Sequence, residues 1–147
     1  MKTLLICLLF VPVKVMAQSD TMITENFLQS FADAFNAHDL KAIMSHMTED
    51  CIFEASAGPD VDGEKFTGQE NVRKAFETVF ASFPDARWDN PHHFISGNRG
   101  FTEWTFSGTS QDGKIIEVTG CDLFTFENGK IAIKNSYRKN RILRSKD

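Results

Sequence analysis

The chain has 147 residues, with 16 Lys and Arg against 20 Asp and Glu and a net charge of −4. That length suits about one domain, and its 14 Phe and 2 Trp supply enough apolar surface for a core. The acidic balance argues against nucleic acid as a partner, and three cysteines are too few for a scaffold held by disulfides.

Residues 1–17 read as a signal peptide. A lone Lys2 precedes the apolar run from Leu4 to Val11, and Val15-Met16-Ala17 offers a cleavage boundary after Ala17. Pro12 and Lys14 break the run well short of the roughly 18–20 apolar residues a spanning helix needs. The expectation is an exported chain, periplasmic or secreted, with no membrane insertion after cleavage. The domain then occupies residues 18–137. A basic tail follows at 138–147, with Arg138, Lys139, Arg141, Arg144 and Lys146 serving as a solvated end or as a contact for anionic partners.

Within the domain, Ile23, Phe27, Phe31, Ala34 and Phe35 recur at helical spacing and predict a first helix that ends in Asn36-Ala37-His38-Asp39. Asp39 caps a short second helix carrying Leu40, Ile43, Met44 and Met47. It gives way at Thr48-Glu49-Asp50 to the strand Cys51-Ile52-Phe53-Glu54-Ala55. Thr67 and Glu70 stand at capping-box spacing ahead of Val72, Phe76, Val79, Phe80 and Phe83, so a third amphipathic helix begins near Gly68 and stops before Pro84.

Beyond that helix, turn signals at Ser96–Gly100, Asp112-Gly113 and Asn128-Gly129 divide Arg87 to Tyr137 into a four-stranded antiparallel meander. A sheet this apolar must bury a face. The predicted fold is α+β, a cone-shaped curved antiparallel sheet wrapped around three N-terminal helices.

This order of elements, with the segments Phe35-Asn36-Ala37-His38-Asp39-Leu40, Phe66-Thr67-Gly68-Gln69-Glu70-Asn71-Val72 and Asp122 to Ile131, resembles the nuclear-transport-factor-2-like superfamily in its SnoaL-like, ketosteroid-isomerase-like branch. The resemblance implies a small-molecule cone and leaves the chemistry open, because that fold hosts isomerases, cyclases, dehydratases and proteins without activity. In the ketosteroid-isomerase branch, a first-strand carboxylate acts as base, while a first-helix phenol and a protonated late-strand carboxyl stabilise the enolate. Carried over to this chain, the late acid is Asp122, the phenol position holds Phe31 and the base position holds Ala55. With two of three groups missing, steroid isomerisation is not expected.

The residues themselves also single out Asp122. Strand alternation places it with Phe124 and Phe126, so its carboxyl either keeps its proton on a water-poor wall and shuttles it, or is satisfied by a donor such as Asn135 or Tyr137. On the first reading, Asp122→Asn leaves stability unchanged or higher. Glu103 either joins Asp122 in a carboxyl pair or lies on the outer face. If it points inward, then Trp104, Phe106, Cys121 and Leu123 form an apolar outer face, which implies a homodimer.

His92 and His93 point to opposite sides of a strand, so they cannot share one ion, and no metal site is expected. One of them lines the pocket, taken here as His92. Candidate ligand contacts are Phe31, Phe53, Ala55, His92, Phe124, Phe126, Asn135 and Tyr137, with Asp122 and Glu103 as catalytic candidates. Cys51 and Cys121 diverge. No phosphate-binding glycine loop is present, and no cofactor is expected.

The functional expectation is an exported small-molecule-binding protein with proton-transfer chemistry of the isomerase, cyclase or dehydratase type. The alternative is a non-catalytic accessory or small subunit that docks to a larger enzyme such as an oxidoreductase.

Overall fold

A computed structural model describes residues 22–141. The leader read in residues 1–17 and the last residues of the basic tail lie outside the described residues. Thr24 opens α1 (Glu25–Asn36) by accepting the Phe27 amide at 3.3 Å, and the helix buries Leu28, Phe31, Ala34 and Phe35. Asp39 caps α2 (Leu40–Ser45) through the Ala42 amide at 2.9 Å. Asn36, the last residue of α1, holds the backbone of Trp88 as a strand neighbour would, accepting its N–H at 2.8 Å and donating to its carbonyl at 3.0 Å.

Met47 belongs to β1 (Met47–Glu54), not to the second helix, and its side chain is fully buried. A short β2 (Lys65–Thr67) precedes α3 (Gln69–Ser82). The expected capping box does not form, because Thr67 is still in the strand, paired with Ile52. Gly68 takes the N-cap position instead, at a left-handed φ of 82°, with no side-chain cap. Gln69 ties the region together by donating its side-chain amide to the carbonyls of Met44 and Met47 at 3.0 and 3.1 Å.

Four long strands complete the chain: β3 (Arg87–Ser96), β4 (Arg99–Thr109), β5 (Ile115–Glu127) and β6 (Lys130–Arg138). The β5–β6 hairpin turns on Asn128 and Gly129, both at positive φ, as a turn matched to the strand twist requires. The sheet order is β2-β1-β6-β5-β4-β3. The meander is antiparallel as expected, but β1 joins β6 in parallel, so the sheet is mixed.

The three helices cover the concave face, with α1 against β3 and α3 against β1. The larger core cluster is built on Phe31, Phe35, Phe76 and Phe124. A smaller one surrounds Trp104 and Phe106, and Trp88 packs against both.

Candidate functional site

Register decides which side chains reach the concave face. Trp104 pairs with Gly120 and Thr102 with Asp122, and residues directly opposite in an antiparallel pair share a face. Trp104 therefore points inward with Asp122, and Glu103 points out and is exposed. The carboxyl pair and the outer face built on Trp104 and Phe106 are both corrected: these rings are 7% and 4% exposed from cover within the chain. Gly120 makes the room, since a Cβ there would stand 2.3 Å from the Trp104 ring.

Asp122 is buried, but not alone among rings. Its Oδ1 accepts the Lys134 ammonium at 2.6 Å and the Ser136 hydroxyl at 2.5 Å, and its Oδ2 accepts the Trp104 indole N–H at 2.9 Å. Lys134 also donates to Ser136 at 2.7 Å. Asp122 lies opposite Ser136 and diagonal to Lys134, which pairs with Phe124, and that is within reach of a long side chain. The side chains of the ion pair are only 6% and 8% exposed. Asn135 and Tyr137, the donors considered for Asp122, alternate to the outer face and bond to each other at 3.3 Å.

The Lys134 ammonium has three hydrogens. Two go to Asp122 and Ser136, while the rings of Phe53 and Phe35 lie 5.0 and 5.5 Å from the nitrogen. The third hydrogen has no protein acceptor among the described residues. Lys134, Ser136 and Trp104 line a cavity of about 650 Å³ between α3 and the sheet. Phe and Trp side chains form much of its apolar wall, and Phe53 and Ala55 are among its lining residues. Glu64, Lys65, Lys74 and Arg138 are its other charged lining residues. All four are exposed, and the first two of these cations are engaged by Glu54 and Glu70.

Behind the cluster is a second, small cavity of about 20 Å³, lined by Phe31, Thr102, Asp122 and Phe124 among others. Phe31 serves mainly as core, edge-on to Phe35 and Phe124, and Phe126 stacks on Phe124 without reaching the main cavity.

His92 is exposed, which corrects its placement in the pocket; a register shift between Asp89 and His92 accompanies the change. His93 turns inward instead, bonded to Thr102 Oγ1 at 2.8 Å and Gln29 Oε1 at 3.2 Å, and desolvation holds its pKa below the ordinary value. Cys51 and Cys121 are free thiols, both pushed up by burial. No three His, Cys, Asp or Glu side chains among the described residues are grouped to hold a metal ion.

Lys134 and Ser136 are the site residues that sequence reasoning missed. Their signal was a lysine inside the apolar strand Ile131 to Tyr137, at the same parity as a serine. A mid-strand cation of this kind must find either water or a buried anion.

The family model for the SnoaL-like domain matches residues 28–133, and the chain belongs to that family. The fold is of the nuclear-transport-factor-2-like type. A Pseudomonas putida structure, provisionally described as a polyketide cyclase, is 21% identical with a TM-score of 0.68, over 76% of this chain and 87% of that one. A Mesorhizobium loti protein of unknown function with the same fold is 25% identical with a TM-score of 0.65, over 88% and 98%. A ketosteroid-isomerase-like protein of Catenulispora acidiphila, solved with trimethylamine, is 16% identical with a TM-score of 0.68, over 78% and 86%. No match was found among curated proteins.

Proposed function

We propose that this chain is an exported small-molecule-binding protein whose cavity takes a largely apolar molecule with a carbonyl or enolate oxygen. Its chemistry is proton transfer of the isomerase, cyclase or dehydratase type. The observation that carries this reading is the Lys134 ammonium, buried at an aromatic-walled cavity of about 650 Å³ with one hydrogen unspent. A charge-assisted hydrogen bond to such an oxygen is worth about 1.5–3 kcal/mol, and more as the oxygen gains charge.

In this scheme Lys134 draws electron density onto the oxygen and lowers the cost of losing a neighbouring proton. Asp122 holds the ammonium in place, and Ser136 bridges the two. Asp122 already accepts three hydrogen bonds, so in this scheme it anchors Lys134 and does not carry the substrate's proton.

An open cavity of this size weighs against an accessory protein with a self-filled cone. Native mass spectrometry of protein purified from its own host tests the reading. A retained carbonyl-bearing molecule, lost in Lys134→Met, is expected. An empty protein whose tryptophan fluorescence ignores aromatic ketones and enols would refute it.

Export rests on the features of residues 1–17, and N-terminal sequencing that starts at Gln18 is its check. A homodimer through the outer sheet face is also part of the proposal, with different side chains in place of Trp104 and Phe106. Phe94 and Tyr137 are 55% and 52% exposed there, and Phe94 stacks on Phe101 at 4.8 Å. Light scattering should give twice the mature mass, falling to one copy in Phe94→Asp.

A further inference from the structure

We infer that Lys134 is a covalent carbonyl-capturing residue, forming a Schiff base with hydrophobic aldehydes or ketones that enter the main cavity. The inference rests on that cavity being a ligand site and goes beyond the reversible hydrogen bond proposed for it. Three observations carry it. Lys134 is part of the cavity lining, with its nitrogen 5.5 and 5.0 Å from the ring centroids of Phe35 and Phe53, and the other charged lining residues are exposed. Asp122, at 2.6 Å, is placed to take a proton from it. The Ser136 hydroxyl touches both the nitrogen and Asp122, at 2.7 and 2.5 Å, and so links the two ends of that transfer.

Passage of one proton along the 2.6 Å contact from the ammonium to Asp122 converts the ion pair into a neutral amine beside a neutral acid. In the neutral state the amine has a lone pair and a carboxylic acid beside it.

The step balances without any further reagent. The ammonium passes one proton to Asp122, and the amine lone pair forms a bond to the carbonyl carbon. The C=O π pair moves to oxygen, which takes up the amine's proton to give a carbinolamine. The nitrogen lone pair then expels the hydroxyl group, which leaves as water with the proton from Asp122. The result is a protonated imine paired with the Asp122 carboxylate, so the buried ion pair is preserved and one water is released. A protonated imine is a stronger electron sink than a hydrogen-bonded carbonyl, and it activates the neighbouring C–H bond for the same class of proton transfer.

Cinnamaldehyde is a suitable probe, with cinnamyl alcohol as a non-carbonyl control of nearly the same shape. The full-length protein is incubated with each, treated with borohydride and mapped by peptide mass spectrometry, while tryptophan fluorescence reports occupancy near Trp88 and Trp104. The expected result is reductive labelling of Lys134 by the aldehyde about tenfold or more faster than of exposed Lys41, Lys114 and Lys130, through proximity in the cavity. Lys134→Arg, which keeps a cation beside Asp122 but has no amine able to form an imine, should lose the label. Quenching without labelling of Lys134 overturns the covalent proposal and leaves the reversible reading standing. Absence of quenching by either compound overturns both.

Discussion

Asp122→Asn separates the structure from the simplest reading of the sequence. A carboxyl holding its proton on an aromatic wall would tolerate the amide with no loss, or with a gain, in stability. In the structure the same change strips the charge from the partner of an ammonium whose side chain is 6% exposed. Removing one member of a buried ion pair leaves the other uncompensated, which costs about 3–5 kcal/mol.

Urea unfolding followed by tryptophan fluorescence measures this directly. With a slope of about 2 kcal/mol per molar, the midpoint should fall by about 2 M. Lys134→Met should cost a similar amount, since it leaves the carboxylate with only Ser136 and Trp104. The double variant Asp122→Asn/Lys134→Met has no stranded charge, so its cost should lie near that of one single variant and well below their sum. If Asp122→Asn costs less than about 1 kcal/mol, or the double variant equals the sum, the pair is not the electrostatic unit described above.

Three further outcomes test other parts of the fold. Desolvation outweighs the pull of Glu25 and Asp33 and holds the pKa of His93 down, so the folded chain binds fewer protons than the unfolded chain just below the ordinary value of 6.5. Stability should therefore decline as pH falls through that value towards the folded pKa, and His93→Gln should flatten this slope in urea midpoints between about pH 7.5 and about pH 5.5. Gly120→Ala would place a Cβ 2.3 Å from the Trp104 ring and 2.4 Å from the Tyr137 carbonyl oxygen, and it should cost about 1–3 kcal/mol by thermal or urea denaturation. A thiol reagent should modify half-buried Cys121 first and reach fully buried Cys51 only on unfolding, with both slowed because burial raises their pKa values.

The sequence by itself determined the elements whose causes are local. The stripe from Phe27 to Phe35 specifies α1 because helical side chains three and four apart share a face, and Asn128-Gly129 specifies the last hairpin because its backbone demands positive φ. Those elements and their order carried the fold class and the family. The burial of Asp122 was legible too, from its parity with Phe124 and Phe126.

Its partners were not legible, and neither was the side of the sheet on which Trp104 lies. Both depend on register between strands, and a shift of one residue exchanges the faces, so Glu103 and Trp104 are equally good inward candidates until β4 is set against β5. The parallel joining of β1 to β6 and the diagonal reach of Lys134 from β6 to Asp122 on β5 are likewise facts of assembly. Local pattern reports whether a side chain alternates with its neighbours. Only tertiary packing selects which charged group it meets once water has been excluded, and here that choice turned an isolated acid into the anchor of a buried lysine.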